Sequence, residues 1–109
     1  MKKVKISSSI GNKSSEVTAS DCYIAIPAAI ELNKAQSSAP YNNEGFAIDY
    51  FSENKNRICY DKNGAAATYW TRSPNVDYVN YQYIITTAGA LSGFSYPYEK
   101  HGIRIMFSI

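Results

Sequence analysis

Charged residues are scarce in this sequence of 109 residues. They make up 18% of the chain and leave a formal net charge of +2, where soluble domains commonly carry about 25% charged residues. The positive charges are spread from Lys2 to Arg104, apart from a small group at Lys2, Lys3 and Lys5. Because nucleic-acid-binding domains concentrate Lys and Arg on one face, we expect no nucleic-acid partner. The surface must instead rely on neutral polar side chains.

Histidine and cysteine are scarcer still. The single histidine, His101, cannot form a histidine cluster for zinc, and Cys22 and Cys59 are too far apart for a metal-binding or redox pair. The two cysteines permit one disulfide or two free thiols, and we favour buried free thiols. The carboxylates are scattered, and the segment from Asp61 to Gly64 begins like a calcium loop without its closing ligands. We therefore expect no metal, no cofactor and no enzymatic activity.

Long apolar runs are also missing. No stretch approaches the ~18 consecutive apolar residues of a membrane-spanning helix, so we expect no membrane insertion. The segment from Met1 to Ile10 is charged at its start and has no apolar run behind it, so no signal peptide is visible. A chain of 109 residues has the length of one domain with one modest core.

Tyrosine, in contrast, is abundant. The chain has ten tyrosines, more than a core of this size can bury with every hydroxyl paired. Together with Ser, Asn and Gly, tyrosine is typical of antibody-type binding surfaces, and its ring also stacks on sugars. The alternative is an edge strand with aromatic loops that bind nothing. The predicted ligand-binding residues are Asn75, Tyr78, Asn80, Tyr81, Tyr96 and Tyr98.

Apolar spacing predicts both strands and helices. The predicted strands are Val4–Ser8, Cys22–Ile26, Arg57–Tyr60, Ala65–Thr71, Tyr78–Thr87 and Ile103–Ile109. The predicted helices are Pro27–Gln36 and Phe46–Asn54. Turns are predicted at 61–64 and 87–89 from their Asn-Gly and Ala-Gly pairs. In the last strand, Ile103, Ile105, Phe107 and Ile109 form one apolar face. Helices early and strands late predict an α+β domain with a small, mostly antiparallel sheet.

Three residues in the apolar strands point to a structural framework. Arg72 and Arg104 are tolerated there only if carbonyls or carboxylates satisfy their guanidinium donors, so we favour a structural role over a ligand contact. Trp70 is the only tryptophan, and a core position is favoured over a binding position.

Several motifs carry a resemblance to a known family. They are Ile24-Ala25-Ile26-Pro27, Glu31-Leu32, Tyr50-Phe51 with Asn56-Arg57-Ile58, Tyr69-Trp70-Thr71-Arg72-Ser73-Pro74 and Gly102-Ile103-Arg104. In this order they resemble a domain of unknown function with a Trp-x-Arg-Ser-Pro and Gly-Val-Arg-Pro signature, found in bacterial surface proteins and phage tail or adhesin proteins. That domain is C-type-lectin-like and related to the variable proteins of diversity-generating retroelements. Here Ile105 replaces the final proline of the signature.

The resemblance implies a fold and a function. Residues 21–109 would be a C-type-lectin-like binding domain, and residues 1–20 an N-terminal strand or linker. Trp70, Arg72, Gly102 and Arg104 would be framework residues that hold a displayed segment from Asn75 to Tyr98. The calcium-binding Glu-Pro-Asn and Trp-Asn-Asp patterns of sugar-binding lectins are absent, so binding would be calcium-independent.

The expected function is therefore non-catalytic receptor binding by a phage tail or a bacterial surface adhesin, with a host-surface protein or glycan as partner. It would take place on the virion or the bacterial cell surface. The main alternative is an assembly module whose aromatic face packs on another subunit, including an identical one. A hydrolase of surface polysaccharide is the least favoured reading.

Overall fold

Pairing between antiparallel strands organises the chain, which is described here from a computed structural model that covers residues 1–10, 16–34, 43–75, 77–78 and 80–109. The strands are β1 (Val4–Ser9), β2 (Val17–Cys22), β3 (Ile24–Ala25), β4 (Cys59–Tyr60), β5 (Ala66–Ala67), β6 (Tyr69–Pro74), β7 (Gln82–Ile85), β8 (Leu91–Ser95) and β9 (Met106–Phe107). A 3-10 helix, Asp49–Ser52, and the one-turn helix α1, Asn54–Arg57, precede β4.

The strands form four small sheets. β1 and β2 make a hairpin, β4 pairs with β5, and β6, β7 and β8 form a three-stranded meander. The fourth sheet joins distant parts of the chain, because β3 pairs with β9 in antiparallel register with Ile24 opposite Phe107. A further bridge between Lys2 and Ser108 holds the segment before β1 against the one after β9. The prediction of mostly antiparallel strands with one or two short helices is confirmed.

The apolar core is small. Leu32, Phe51, Tyr69 and Ile85 pack together with Cys59, Leu91 and Met106 around them. Along β6 the side chains of Tyr69, Thr71 and Ser73 are buried, and those between them are half-buried. Two of these three buried side chains, Thr71 and Ser73, carry a hydroxyl group. Because buried polar groups need hydrogen-bond partners, hydrogen bonds as well as apolar contacts hold β6 in place.

Arg72 ties three segments of the chain to β6. Its guanidinium donates to the carbonyls of Ser7 (3.1 Å), Ile26 (2.8 Å) and Glu44 (2.8 Å). It also forms an ion pair with Glu31, and both side chains of that pair are largely buried. The planar fork of arginine can satisfy several acceptors in fixed directions at once, which the single ammonium of lysine cannot do.

Glu44 extends this network beneath β6. One carboxylate oxygen accepts the Ser73 hydroxyl at 2.7 Å, and the other accepts the backbone N–H of Ser9 at 2.9 Å. The Ser73 hydroxyl in turn accepts the N–H of Ala29 at 2.9 Å. Burial raises the pKa of Glu44, and these hydrogen bonds together with the nearby charge of Arg72 oppose that rise only in part.

Two more arginines clamp the helical turn before β4. Buried Arg57 donates to the carbonyls of Phe51 (2.6 Å) and Gly89 (2.9 Å). Arg104 donates to the carbonyl of Asn56 at 3.1 Å and lies over the Phe51 ring, 4.8 Å from its centroid. The Tyr69 hydroxyl connects Arg57 with Arg104. It donates to the Arg57 carbonyl at 2.6 Å and accepts from the Arg104 guanidinium at 3.2 Å. The sequence predicted the structural role for Arg72 and Arg104 and did not identify Arg57.

The helix predicted over Pro27–Gln36 is wrong for the part that is described, which ends at Lys34. The chain makes a single helical turn that closes at Asn33, whose φ is 58°. The N–H of Lys34 bonds the Ala29 carbonyl and the N–H of Asn33 bonds the Ile30 carbonyl, the pairing of a helix C-cap. Three apolar residues of the predicted helix, Ala28, Ala29 and Leu32, are nonetheless fully buried. Gln36 lies outside the described residues.

The helix predicted over Phe46–Asn54 is replaced by the shorter 3-10 helix. Phe46 is 89% exposed and Tyr50 60% exposed, whereas Phe51 is buried. The spacing of Phe46 and Tyr50 therefore does not mark an apolar helix face. Phe51 is the core residue because its carbonyl and its ring are both held, by Arg57 and Arg104 respectively.

Each of the six predicted strands overlaps an observed strand, but the described residues contain nine strands and the bounds differ. β2 and β8 were not predicted, and in the described part of the predicted strand Tyr78–Thr87 the paired residues are Gln82–Ile85. A register shift between Gln82 and Ile84 lets Ile84 and Ile85 both be buried, which strict alternation does not allow. The predicted turns are present, with Gly64 and Gly89 both at positive φ. Cys22 and Cys59 are free thiols, as predicted, but they are half-buried where full burial was predicted.

The Arg72 network predicts a large loss of stability for Arg72→Lys. The lysine keeps the charge but leaves buried carbonyls of Ser7, Ile26 or Glu44 without a donor, so we expect the free energy of unfolding to fall by about 2–4 kcal/mol. Urea denaturation followed by circular dichroism measures it. The control is Lys55→Ala, which breaks the exposed ion pair with Glu53 and should cost less than about 1 kcal/mol. Equal effects of the two variants would contradict the assignment.

Glu44 predicts a specific pH dependence of stability. Its pKa in the folded protein is raised above the ordinary value of 4.5, so the folded state holds a proton that the unfolded chain has released. The contribution of Glu44 to stability is therefore complete below pH 4.5 and is lost as pH rises through the folded pKa.

Glu44→Gln removes this ionisation while leaving the other titrating groups in place. Urea unfolding between about pH 4 and about pH 7 should give a steeper fall in stability for the wild type than for the variant. Parallel curves for the two proteins would rule out a raised pKa at Glu44.

Candidate functional site

Five aromatic side chains form a continuous cluster outside the core, here called the aromatic surface. It consists of Tyr78, Tyr81, Phe94, Tyr96 and Tyr98. Tyr81 lies at the centre, with its ring centroid 4.7 Å from that of Tyr96, 5.6 Å from Phe94 and 5.9 Å from Tyr78. Tyr98 stacks on Tyr96 with an angle of 9° between the ring planes.

The meander and its connections bring these rings together. Tyr81 directly precedes β7, Phe94 lies on the adjacent strand β8, and Tyr96 follows the end of that strand. The turn that carries Tyr96 and Tyr98 is closed by Glu99, whose N–H bonds the Tyr96 carbonyl at 3.0 Å. The Glu99 carboxylate also accepts the Tyr96 N–H at 3.1 Å. The position of the two stacked rings is thus fixed by backbone hydrogen bonds at their base.

Much of the aromatic surface faces solvent. Tyr98 is 79% exposed, Phe94 65% and Tyr78 55%. Exposed apolar groups of this size that touch one another are uncommon on a monomeric protein and often mark a contact site. Tyr81 and Tyr96 are half-buried and link their hydroxyls at 3.1 Å, so they form the floor on which the three exposed rings rest.

A depression of about 370 Å³ opens beside these rings. Its lining consists of Asp77, Tyr78, Asn80, Tyr81 and Tyr96. One carboxylate, one amide and three phenol groups therefore border a mostly aromatic hollow. Ligand sites commonly combine apolar walls with a few placed polar groups in this way. These five lining residues provide contact area and hydrogen-bonding groups. They do not include a nucleophile paired with a general base.

A chain of contacts connects the framework to the aromatic surface. The backbone N–H of Trp70 bonds the Gly102 carbonyl at 3.0 Å, and the Trp70 ring meets the His101 ring edge-on at 4.7 Å. One imidazole nitrogen of His101 lies 2.6 Å from the Thr68 hydroxyl, and the other lies 3.4 Å from the Glu99 carboxylate. His101 therefore joins β6 to the turn that carries Tyr96 and Tyr98.

Two tyrosines near the depression have raised pKa values. The hydrogen bond with Tyr96, together with partial burial, raises the pKa of Tyr81. Burial, with the nearby negative charge of Asp77, raises the pKa of Tyr83. Both phenols are therefore neutral hydrogen-bonding groups at physiological pH.

Comparison with protein families gives one match, to a family model that spans residues 2–109. The chain belongs to the domain of unknown function DUF6273. The matched span of this DUF6273 domain contains the β1–β2 hairpin, the arginine framework and the aromatic surface. Comparison with curated proteins and with solved structures found no significant match.

The structure brings together most of the residues that the sequence singled out in this DUF6273 domain. Tyr78, Asn80, Tyr81 and Tyr96 line one depression, and Tyr98 stacks at its side. Asn75 is placed differently, since it is buried and its amide donates to the Gly93 carbonyl at 2.8 Å. Its side-chain oxygen accepts the N–H of Asp77 at 2.9 Å. We therefore describe Asn75 as the residue that shapes the loop beneath the surface.

Sequence reasoning missed Phe94 and Asp77. Phe94 lies on β8, where Gly93 and Ser95 are buried and Phe94 points outward. That alternation, following the Gly89 turn, is the pattern that would have predicted a hairpin with Phe94 beside Tyr81. No comparable signal identifies Asp77.

Two further findings concern the described part of the domain. No three side chains among its described His, Cys, Asp and Glu residues form a group that could hold a metal ion. In the same residues, no helix has the length and apolar character to cross a membrane.

The hydrogen bond between Tyr81 and Tyr96 predicts the result of a titration. Tyr96→Phe removes the partner hydroxyl, so the pKa of Tyr81 should fall toward its ordinary value of 10.0. NMR of ¹³Cζ-labelled tyrosine measures this pKa directly. Tyr60→Phe is the control, because Tyr60 is exposed on β4, a strand that is not part of the meander. An unchanged Tyr81 pKa in Tyr96→Phe would refute the contact.

Proposed function

We propose that this DUF6273 domain is a non-catalytic recognition module that binds a macromolecular partner through the aromatic surface. The observation that carries the proposal is the clustering of Tyr78, Phe94 and Tyr98, each more than half exposed, on a floor of hydrogen-bonded Tyr81 and Tyr96. Burying such rings against a partner would gain free energy that the isolated domain does not obtain.

The physical character of these residues suits recognition. A tyrosine ring is rigid and amphipathic, so it supplies contact area at a low cost in conformational entropy. The stacked pair of Tyr96 and Tyr98 is already ordered by Glu99, which further lowers that cost. Asn80 and Asp77 add hydrogen-bonding groups at the rim of the depression.

The proposed setting is a phage tail or a bacterial surface adhesin, with a host-surface protein or glycan as partner and no requirement for calcium. This setting, and a C-type-lectin-like fold related to retroelement variable proteins, are supported by the Trp-x-Arg-Ser-Pro and Gly-x-Arg motifs at 70–74 and 102–104. Trp70, Arg72, Gly102 and Arg104 act in this proposal as framework residues, since their contacts lie within the domain.

A second candidate function is assembly, with the aromatic surface packed against another subunit. It is favoured by Phe94, which is 65% exposed and has no polar group to serve a hydrophilic ligand. The two functions differ in solution behaviour, because packing against an identical subunit would bury the aromatic surface in the isolated domain.

The proposal predicts the effect of Tyr96→Ala combined with Tyr98→Ala. Loss of these rings should weaken binding to the partner by ~1 to 4 kcal/mol, as for aromatic residues at the centre of an interface. The melting temperature should change little, because Tyr98 lies outside the core. Binding of the fluorescently labelled domain to a panel of bacterial cells measures the effect.

The control for this experiment is Tyr60→Ala, which removes an exposed tyrosine from β4. Treating the cells with protease or with periodate distinguishes a protein partner from a glycan. Unfolding of the double variant would show that the rings belong to the core, and undiminished binding by a folded double variant would exclude the aromatic surface as the contact site.

A further inference from the structure

A second exposed apolar region lies on the sheet formed by β3 and β9, away from the core. Here called the isoleucine face, it consists of half-buried Ile26 and five exposed residues, which are Ile24, Ile103, Ile105, Phe107 and Ile109. Ile105 and Phe107 are each 58% exposed, and Ile103 is 65% exposed. The sequence predicted one apolar face in this segment, and the structure turns that face to solvent.

The strand register explains why these side chains share one face. Ile24 pairs with Phe107, and Ala25 pairs with Met106. Paired residues of antiparallel strands project to the same side, and neighbours along a strand project to opposite sides. Ile24 and Phe107 therefore project to one side of this two-stranded sheet, and Ala25 and Met106 project to the other.

The intervening residues project inward. Arg104 lies over the Phe51 ring, and Met106 packs against the core cluster. Arg104 cannot turn outward without losing its hydrogen bonds to the Asn56 carbonyl and the Tyr69 hydroxyl. The inward positions of Arg104 and Met106 therefore require Ile103, Ile105 and Phe107 to point outward.

The isoleucine face ends at a hollow beside Trp70. The hollow has a volume of about 330 Å³, and Ile26, Trp70, Pro97 and Ile103 are among its lining residues. An apolar cavity of about 150 Å³ already accommodates a benzene ring. The isoleucine face therefore carries exposed side chains, such as Phe107, and borders an open hollow at Ile103.

We infer that the isoleucine face is the contact surface between two copies of this chain, related by a two-fold axis. Its six side chains carry no charge, so two copies meet without electrostatic repulsion between them. Five of the six residues are at least half exposed, so the face presents several hundred Å² of apolar area, on the order of the ~800 Å² that each partner contributes to a standard stable interface.

The arrangement of the face also fits an identical partner. In a two-fold dimer each contact occurs twice, so Phe107 of each copy can enter the hollow beside Trp70 of the other. The aromatic surfaces on the two copies would then stay free, which gives a bivalent recognition module. The inference does not depend on the proposed function, since it concerns different residues.

Analytical ultracentrifugation of the 109-residue chain tests the inference. Interfaces of standard size have dissociation constants of micromolar or below, so at ~100 µM the wild type should sediment at twice the chain mass of 12.1 kDa. Phe107→Glu places a charge on the isoleucine face and should sediment as a monomer. Phe46→Glu is the matched control, because Phe46 is 89% exposed elsewhere and its replacement should leave the dimer intact.

Tyr98→Glu on the aromatic surface should also leave the dimer intact. A monomeric wild type at ~100 µM would overturn the inference, as would a dimer that survives Phe107→Glu or dissociates in Tyr98→Glu. If Phe107→Glu does not fold, hydrogen exchange of the wild type decides: backbone amides of 103–107 should exchange more slowly at high than at low protein concentration. Exchange independent of concentration would overturn the inference.

Discussion

The burial of the Arg72 guanidinium is the constraint on which the rest of this structure depends. A cation removed from water is costly unless acceptors surround it, and the acceptors here come from β1, from the turn after β3 and from the segment around Glu44. These segments are far apart in sequence, so they must all be in place before the charge is satisfied. The network therefore specifies one arrangement of the chain, in addition to any stability that it adds.

A hydrogen-bond network around a buried arginine suits a domain whose apolar core is small. Among the described residues, Leu32, Phe51, Tyr69 and Ile85 form the buried apolar cluster, and Arg57, Arg72 and Arg104 connect backbone carbonyls around it. Because directional hydrogen bonds fix the loops, most of the tyrosines are not needed as core. Of the tyrosines that the structure describes, Tyr69 belongs to the core cluster, and the aromatic surface is assembled from others that remain half-buried or exposed.

The sequence predicted the parts of the fold that depend on local pattern. Residue spacing predicted the β1 strand, the Asp61 to Gly64 turn and the strand at Tyr69. The cost of burying a guanidinium predicted the structural roles of Arg72 and Arg104. Four of the six predicted site residues line one depression for the same reason, since they flank a single hairpin.

Sequence reasoning failed where long-range contacts override local preference. The segment after Pro27 makes a single helical turn because Asn33, at a φ of 58°, closes it with a helix C-cap. The last segment alternates as predicted, but Arg104 needs acceptors in the interior, so the isoleucines face outward. Asn75 was predicted at the surface, but it is buried and its side-chain amide donates to the Gly93 carbonyl.

The central claim is that the ordered aromatic surface is the contact site of this domain. Its most direct test is the aromatic ¹H–¹³C NMR spectrum during titration with a bacterial cell-envelope fraction that retains the domain. Ring signals of Tyr78, Phe94 and Tyr98 should shift or broaden, while those of buried Tyr69 stay unchanged. Unchanged signals from the aromatic surface, with shifts confined to other parts of the domain, would contradict the claim.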